Sequence, residues 1–163
     1  MKRSLTHSCG ILLYRVNALS GEVSVFLGKP NSPMFWGRES ERVWSIPKGG
    51  VEEEDTTLLD CAKREFNEET GETAPVTDYI QLVDYKTSYG KVITIFVGEA
   101  NNVDIAYRGS ISAEREWPVG SGERVTYLET LDAQWFPIKE AMSLIMYGQK
   151  PILELLVNFL SPE

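Results

Sequence analysis

Histidine and cysteine are scarce in this chain: 163 residues contain one of the former and two of the latter. A lone His7 excludes a metal centre built on several imidazoles. Cys9 and Cys61 form neither a Cys-x-x-Cys pair nor a zinc-finger spacing, so reduced thiols in a cytoplasmic protein are expected rather than a disulfide framework. Basic residues are outnumbered: 16 Lys and Arg against 24 Asp and Glu give a formal charge of −8. Sequence-independent nucleic-acid binding relies on cations that neutralise phosphates, and this balance argues against it. Long apolar runs are missing as well. The run Cys9 to Tyr14 is ended by Arg15, which is too short for a membrane span or a secretory leader, so no membrane partner is expected.

What remains is an ordinary globular composition, 42% hydrophobic and 25% charged, which fits a single domain over residues 1–163. "CGILLYRV" and "VSVFLG" read as strands joined by the turn-prone "NALSGE". Residues 29–42, with two prolines and a glycine, read as a long loop carrying Phe35 and Trp36. A short strand "VWSIP" is expected next, then a helix over "LLDCAKREFNEET" with Thr56 or Thr57 as its cap and Gly71 at its end. "YIQLVDYKTS" and "KVITIFVGEA" alternate as two more strands, residues 101–124 read as irregular, and "DAQWFPI" reads as a last strand. Helical "KEAMSLIMYG" and, after Pro151, "ILELLVNFL" close the chain. Strands first, a central helix, more strands and terminal helices predict an α+β fold, an α/β/α sandwich around a mixed sheet.

The central helix is crowded with acid. Gly49 to Glu72 holds nine carboxylates, although like charges one turn apart destabilise a helix. At about 100° per residue, Glu65, Glu68 and Glu69 share one face and border the apolar stripe of Leu59, Ala62 and Phe66. Arg64 stands one turn before Glu68, where it can hold a carboxylate in place. A hard divalent cation such as Mg²⁺ prefers oxygen ligands and substrate phosphates, and it would offset the repulsion. The plainer alternative is a solvated acidic helix face.

Residues Gly50 to Glu72 resemble the box of Nudix hydrolases: Gly, five residues, Glu, seven residues, then R-E-U-x-E-E-x-G-U with U apolar. Gly50, Arg64, Glu65, Phe66, Glu68, Glu69 and Gly71 fall in register. Two positions depart, because Thr56 stands where the first glutamate belongs and Glu72 where the last apolar residue belongs. Counted from Gly49, Asp55 takes the acid position, but the stretch before Arg64 is then one residue too long. The lead-in "WSIPKGG" is similar to that of Nudix enzymes acting on dinucleoside polyphosphates. With "FWGRES", "EWPVGSG" and "AQWFPIKEA", the chain most resembles a little-characterised bacterial group of predicted Nudix nucleotide pyrophosphohydrolases.

The resemblance implies a catalytic loop-helix-loop that hydrolyses the pyrophosphate linkage of a nucleoside diphosphate derivative, either a dinucleoside polyphosphate or a nucleoside triphosphate. Mg²⁺ or Mn²⁺ would be held by Glu65, Glu68 and Glu69, with the Gly49 and Gly50 carbonyls as further ligands. Arg64 would support the catalytic helix, and Lys48 would meet a phosphate. Later acids eligible as general base are Glu99, Glu114, Glu116 and Glu123, with Glu116 favoured. Phe35, Trp36, Tyr89 and Trp117 are aromatic candidates for base stacking, Trp36 foremost. The alternative is a Nudix-fold module that senses a nucleotide without cleaving it.

Overall fold

The computed structural model describes residues 6–38, 42–75 and 78–161. Among the described residues eight strands are formed: β1 (His7–Val16), β2 (Val23–Pro30), β3 (Lys48–Gly50), β4 (Ile80–Lys86), β5 (Val92–Glu99), β6 (Ser112–Glu116), β7 (Arg124–Leu128) and β8 (Thr130–Pro137). Three α-helices accompany them: α1 (Leu58–Thr70), α2 (Ile138–Leu144) and α3 (Lys150–Leu160).

The central strand β1 is apolar on both faces, and both are buried. Cys9, Ile11 and Leu13 join Phe26, Ala62 and Phe66 in one core layer. Leu12 and Tyr14 join Val25, Leu27, Ile152 and Leu156 in the other. Side chains alternate along a strand, so one strand fills two cores only when its sheet lies between helix layers. This is the expected α/β/α sandwich. Strand order in the main sheet is β4-β5-β1-β2-β8, with β3 also paired to β1. β1 and β5 run parallel from His7 opposite Val92 to Tyr14 opposite Glu99, and the other pairings in the sheet are antiparallel. Fully buried Phe66 fixes α1 to the sheet, its ring 6.2 Å from that of Phe26; burying such a side chain stabilises by about 1.5–3 kcal/mol. His7 is tied to the sheet: Thr94 donates to Asp84 and so accepts from His7 Nε2, 2.8 Å away.

Several boundaries differ from the sequence reading. "VWSIP" forms only single bridges, Trp44 to Ile145 and Ser45 to Gly28. The strand proper begins at Lys48, beyond Pro47, which has no N–H to give a ladder. Residues 101–124 are not wholly irregular, since β6 and β7 form a separate hairpin around a turn dense in Pro118, Gly120 and Gly122. β8 starts two residues early, at Thr130, and α2 stops at Leu144, followed by a 3₁₀ turn over Tyr147–Gln149. Pro151 lies in the first turn of α3, where its missing N–H costs nothing. The loop over 29–42 contains a 3₁₀ turn at Pro33–Phe35, and its residues 39–41 lie outside the described residues.

Candidate active site

Helix α1 is closed at both ends as its sequence requires. The Thr57 side chain accepts from Asp60 N–H at 3.1 Å, and Gly71 takes the left-handed conformation, φ 79°, with its N–H on Asn67 O. Its buried face is Cys61, Ala62, Glu65, Phe66 and Thr70. Glu65 therefore lies within the buried stripe rather than bordering it.

Arg64 ties the preceding loop to this helix. Its Nε and Nη2 bond the two Asp55 oxygens at 2.9 and 2.8 Å, and Nη1 bonds Glu65 and Glu68, both at 2.8 Å. Nη2 also reaches the Gly50 carbonyl at 3.0 Å, and Glu52 stands 3.7 Å from Nη1. Asp55 thus meets Arg64 although it sits one residue before the box position. Space, rather than the count of residues, decides the match. The guanidinium holds the Asp55 carboxyl below its ordinary value, and Asp55 in turn raises Arg64. Glu72, at the other departing position, pairs with Arg108 at 2.8 Å.

Gly49 lies against the Glu65 carboxylate so closely that a Cβ there would overlap its carbon and both oxygens. On the far side of β3, a Cβ on Gly10 would come within 2.6 Å of Lys48 Cβ and of Pro47 O. Glycine at both places lets the loop backbone enter between strand and helix. The Gly49 carbonyl is approached by the Cys61 thiol at 3.7 Å, so both glycine carbonyls proposed as metal ligands already have neighbours within α1. Cys9 and Cys61 are free and buried; contact with Cys9, and then burial, raises the Cys61 thiol.

Glu65 and Glu69 face a cavity of about 600 Å³ that is also walled by Lys48, Lys91, Tyr89, Phe35, Tyr127 and Glu129. Lys48 N–H donates to Glu69 at 3.3 Å. Burial, followed by the charge of Glu65, lifts Glu69 well above the ordinary carboxylate range, and Lys48 opposes this. Burial, followed by Lys91, lowers the Lys48 ammonium.

Not every residue named from the sequence reaches this cavity. Glu68 turns to Arg64. Glu116 accepts from Gly120 and Gly122 N–H at 2.8 and 2.9 Å, which lowers its carboxyl and spends it on the hairpin turn. Glu114 pairs with Arg124, Glu99 accepts from Asn101, and Glu123 lies beside the same turn. Trp36 is 46% exposed and donates its indole N–H to Asn31. Among the described residues, the cavity walls include neither Trp36 nor Glu116. The sequence reading missed Glu129 and Lys91. Glu129 was detectable as the acid between the alternating runs "RVTYL" and "TLDAQWF".

Among the described residues, no three His, Cys, Asp or Glu side chains are gathered as a ready-made metal cluster. The carboxylates that line the cavity, those of Glu65, Glu69 and Glu129, are hard oxygen donors. That chemistry fits Mg²⁺ or Mn²⁺, and a cation would offset the Glu65 charge that, after burial, raises Glu69.

A family model described as the NUDIX domain matches residues 18–156. The chain belongs to the NUDIX domain family. Two Nudix structures share its fold. C. elegans Ap4A hydrolase, in a binary complex, has a TM-score of 0.61 at 18% identity, over 96% of this chain and 98% of that one. The NUDIX domain of Shewanella oneidensis NrtR, complexed with ADP ribose, has a TM-score of 0.62 at 15% identity, over 98% and 91%. In sequence, this Nudix chain is 34% identical over 92 residues to an uncharacterised 17.7 kDa protein of Enterobacteria phage T4. That match spans 56% of this chain and 57% of the phage protein. No helix among the described residues is long and apolar enough to cross a membrane.

Proposed function

We propose that this Nudix protein is a cytoplasmic pyrophosphohydrolase that cleaves the pyrophosphate linkage of a nucleoside diphosphate derivative with the help of Mg²⁺ or Mn²⁺. The observation that carries the reading is one cavity holding Glu65, Glu69 and Glu129 together with Lys48 and Lys91. Ap4A and ADP ribose, named with the two structural relatives, are both nucleotides with a diphosphate or longer chain.

In this reading Glu65 and Glu69 would be the carboxylate ligands, while Glu68 is held by Arg64. A bound divalent cation supplies charge neutralisation at phosphate oxygens and lowers the pKa of the attacking water. Glu129 takes the proton from that water as its oxygen bonds to phosphorus and the P–O bond of the leaving phosphate breaks. Lys48 and Lys91 bind the phosphate oxygens, where fixed positive charge counters the charge that builds up. Arg64 touches none of the reacting atoms; it positions Glu65 and the loop.

The test is a panel of nucleoside triphosphates, dinucleoside polyphosphates and nucleotide sugars, each with Mg²⁺, Mn²⁺ or chelator, followed by ³¹P NMR. Metal-dependent phosphate products are expected. A nucleotide that raises the melting temperature but is never cleaved under any condition would instead establish a ligand sensor.

A further inference from the structure

Glu129 is the single residue between β7 and β8. What holds it there comes from residues 107–111, which form neither strand nor helix but bond on one side to the end of α1 and on the other to the β7–β8 junction. On the helix side, Arg108 N–H donates to the Thr70 carbonyl at 2.7 Å and Ile111 N–H to the Glu68 carbonyl at 2.9 Å. The last carbonyls of a helix find no partner within it, so these bonds fix where α1 ends. The approach is close: a Cβ on Gly71 would come within 2.6 Å of the Gly109 carbonyl. On the junction side, Glu129 N–H donates to the Ile111 carbonyl at 3.0 Å. The Tyr107 hydroxyl donates to the Thr130 carbonyl at 2.6 Å and accepts from Ser110 N–H at 3.1 Å, while the Ser110 hydroxyl accepts from Thr130 N–H at 3.0 Å. Thr130 is buried, where a backbone group that loses its partner is left unpaired. Through Ile111, one residue therefore links the Glu68 carbonyl, beside Glu69 in α1, to the amide of Glu129.

We propose that Tyr107 and Ser110 are positioning residues for the cleavage reaction: with the Ile111 backbone they hold Glu129 in place relative to Glu65 and Glu69, and they act on turnover through Glu129 alone. The inference rests on the reading of Glu129 as the base. Among the described residues, the walls of the acidic cavity include neither Tyr107 nor Ser110, so their influence reaches the substrate by way of the backbone they hold. Proton transfer demands a base within hydrogen-bond reach of the water, and a small displacement of its backbone is enough to slow it.

A double-mutant cycle tests this, with diadenosine tetraphosphate, ATP and ADP ribose as substrates in Mg²⁺. Tyr107→Phe combined with Ser110→Ala is expected to lower kcat about tenfold or more with KM changed less than about twofold, and the same pair added to Glu129→Gln to lower kcat less than about twofold further. Tyr107→Phe alone, which keeps the ring on the core layer that α1 shares with the sheet, gives the same pattern in smaller measure if the pair does not fold. Amide exchange followed by NMR in the metal-free protein should quicken at Glu129 and Thr130 while the amides of α1 keep their protection. An unchanged kcat, an equal loss with and without Glu129→Gln, a rise in KM alone, or unchanged protection at Glu129 and Thr130 would overturn the proposal. Failure of the underlying reading looks different: Glu129→Gln turning over at the wild-type rate removes the base, no cleavage of any of the three compounds removes the hydrolase, and either result takes the positioning role with it.

Discussion

Replacing Asp55 with alanine tests the idea that space, not the count of residues, satisfies the Nudix box. Asp55 accepts two charge-assisted bonds from Arg64 and a third from Glu52 N–H at 2.8 Å, and its side chain is 5% exposed. A hydrogen bond to a charged group contributes about 1.5–3 kcal/mol, and removing one partner of a buried ion pair costs about 3–5 kcal/mol. Arg64 is 24% exposed and keeps Glu65 and Glu68, which softens the loss. The expected cost is therefore about 2–4 kcal/mol, or roughly 6–12 °C in melting temperature for a chain of this size. The pH dependence has a definite sign. Arg64 depresses the Asp55 carboxyl, so its contribution is complete above the ordinary value of about 3.9 and is lost as pH falls toward the lowered one. Urea unfolding of wild type and Asp55→Ala should show a constant gap from about pH 5 to 8 that closes below about pH 4. A gap under about 0.5 kcal/mol at neutral pH, or one that persists unchanged in acid, would refute the reasoning.

Gly49→Ala forces a methyl group into the Glu65 carboxylate; a destabilisation of about 1–3 kcal/mol is expected by urea titration, with turnover lowered about a hundredfold or more because Glu65 must move. In chelator, the raised Glu69 carboxyl makes stability fullest below the ordinary value of about 4.3, with loss as pH climbs toward the raised one. Melting curves between about pH 4 and 8 should therefore fall for the metal-free wild type and stay flatter for Glu69→Gln; parallel curves would rule this out. Glu129→Gln should lower kcat about a hundredfold or more at nearly constant KM, and Glu116→Gln should change kcat by less than about threefold. Steady-state kinetics that reversed the two would return the base to the hairpin.

The helix and its surroundings were legible because local signals agreed. Thr57, Gly71, the apolar stripe and the Arg64–Glu68 spacing each depend on residues a turn or so apart. The two-sided burial of β1 was likewise foreshadowed by its unbroken apolar run. What escaped depends on contacts between distant parts of the chain. Pro118, Gly120 and Gly122 make "EREWPVGSGER" look like loop, and only the pairing of β6 with β7 turns its flanks into strands. Position alone recommended Glu116, yet its turn claims it, while Glu129 comes to line the same cavity as Glu65 and Glu69 only through the folding of distant parts of the chain. Spacing put three glutamates on one face; Arg64 then drew Glu68 aside.

A second cavity, of about 350 Å³, takes half of its wall from two turns, at Thr87, Ser88 and Tyr89 and at Gly148 and Gln149, whereas the box residues are anchored to α1 and the sheet. Exposed turns accept replacements that packed elements reject. Changes at Ser88, Tyr89 or Gly148 can therefore reshape this wall while Arg64, Glu65 and Glu69 stay where the packed helix holds them.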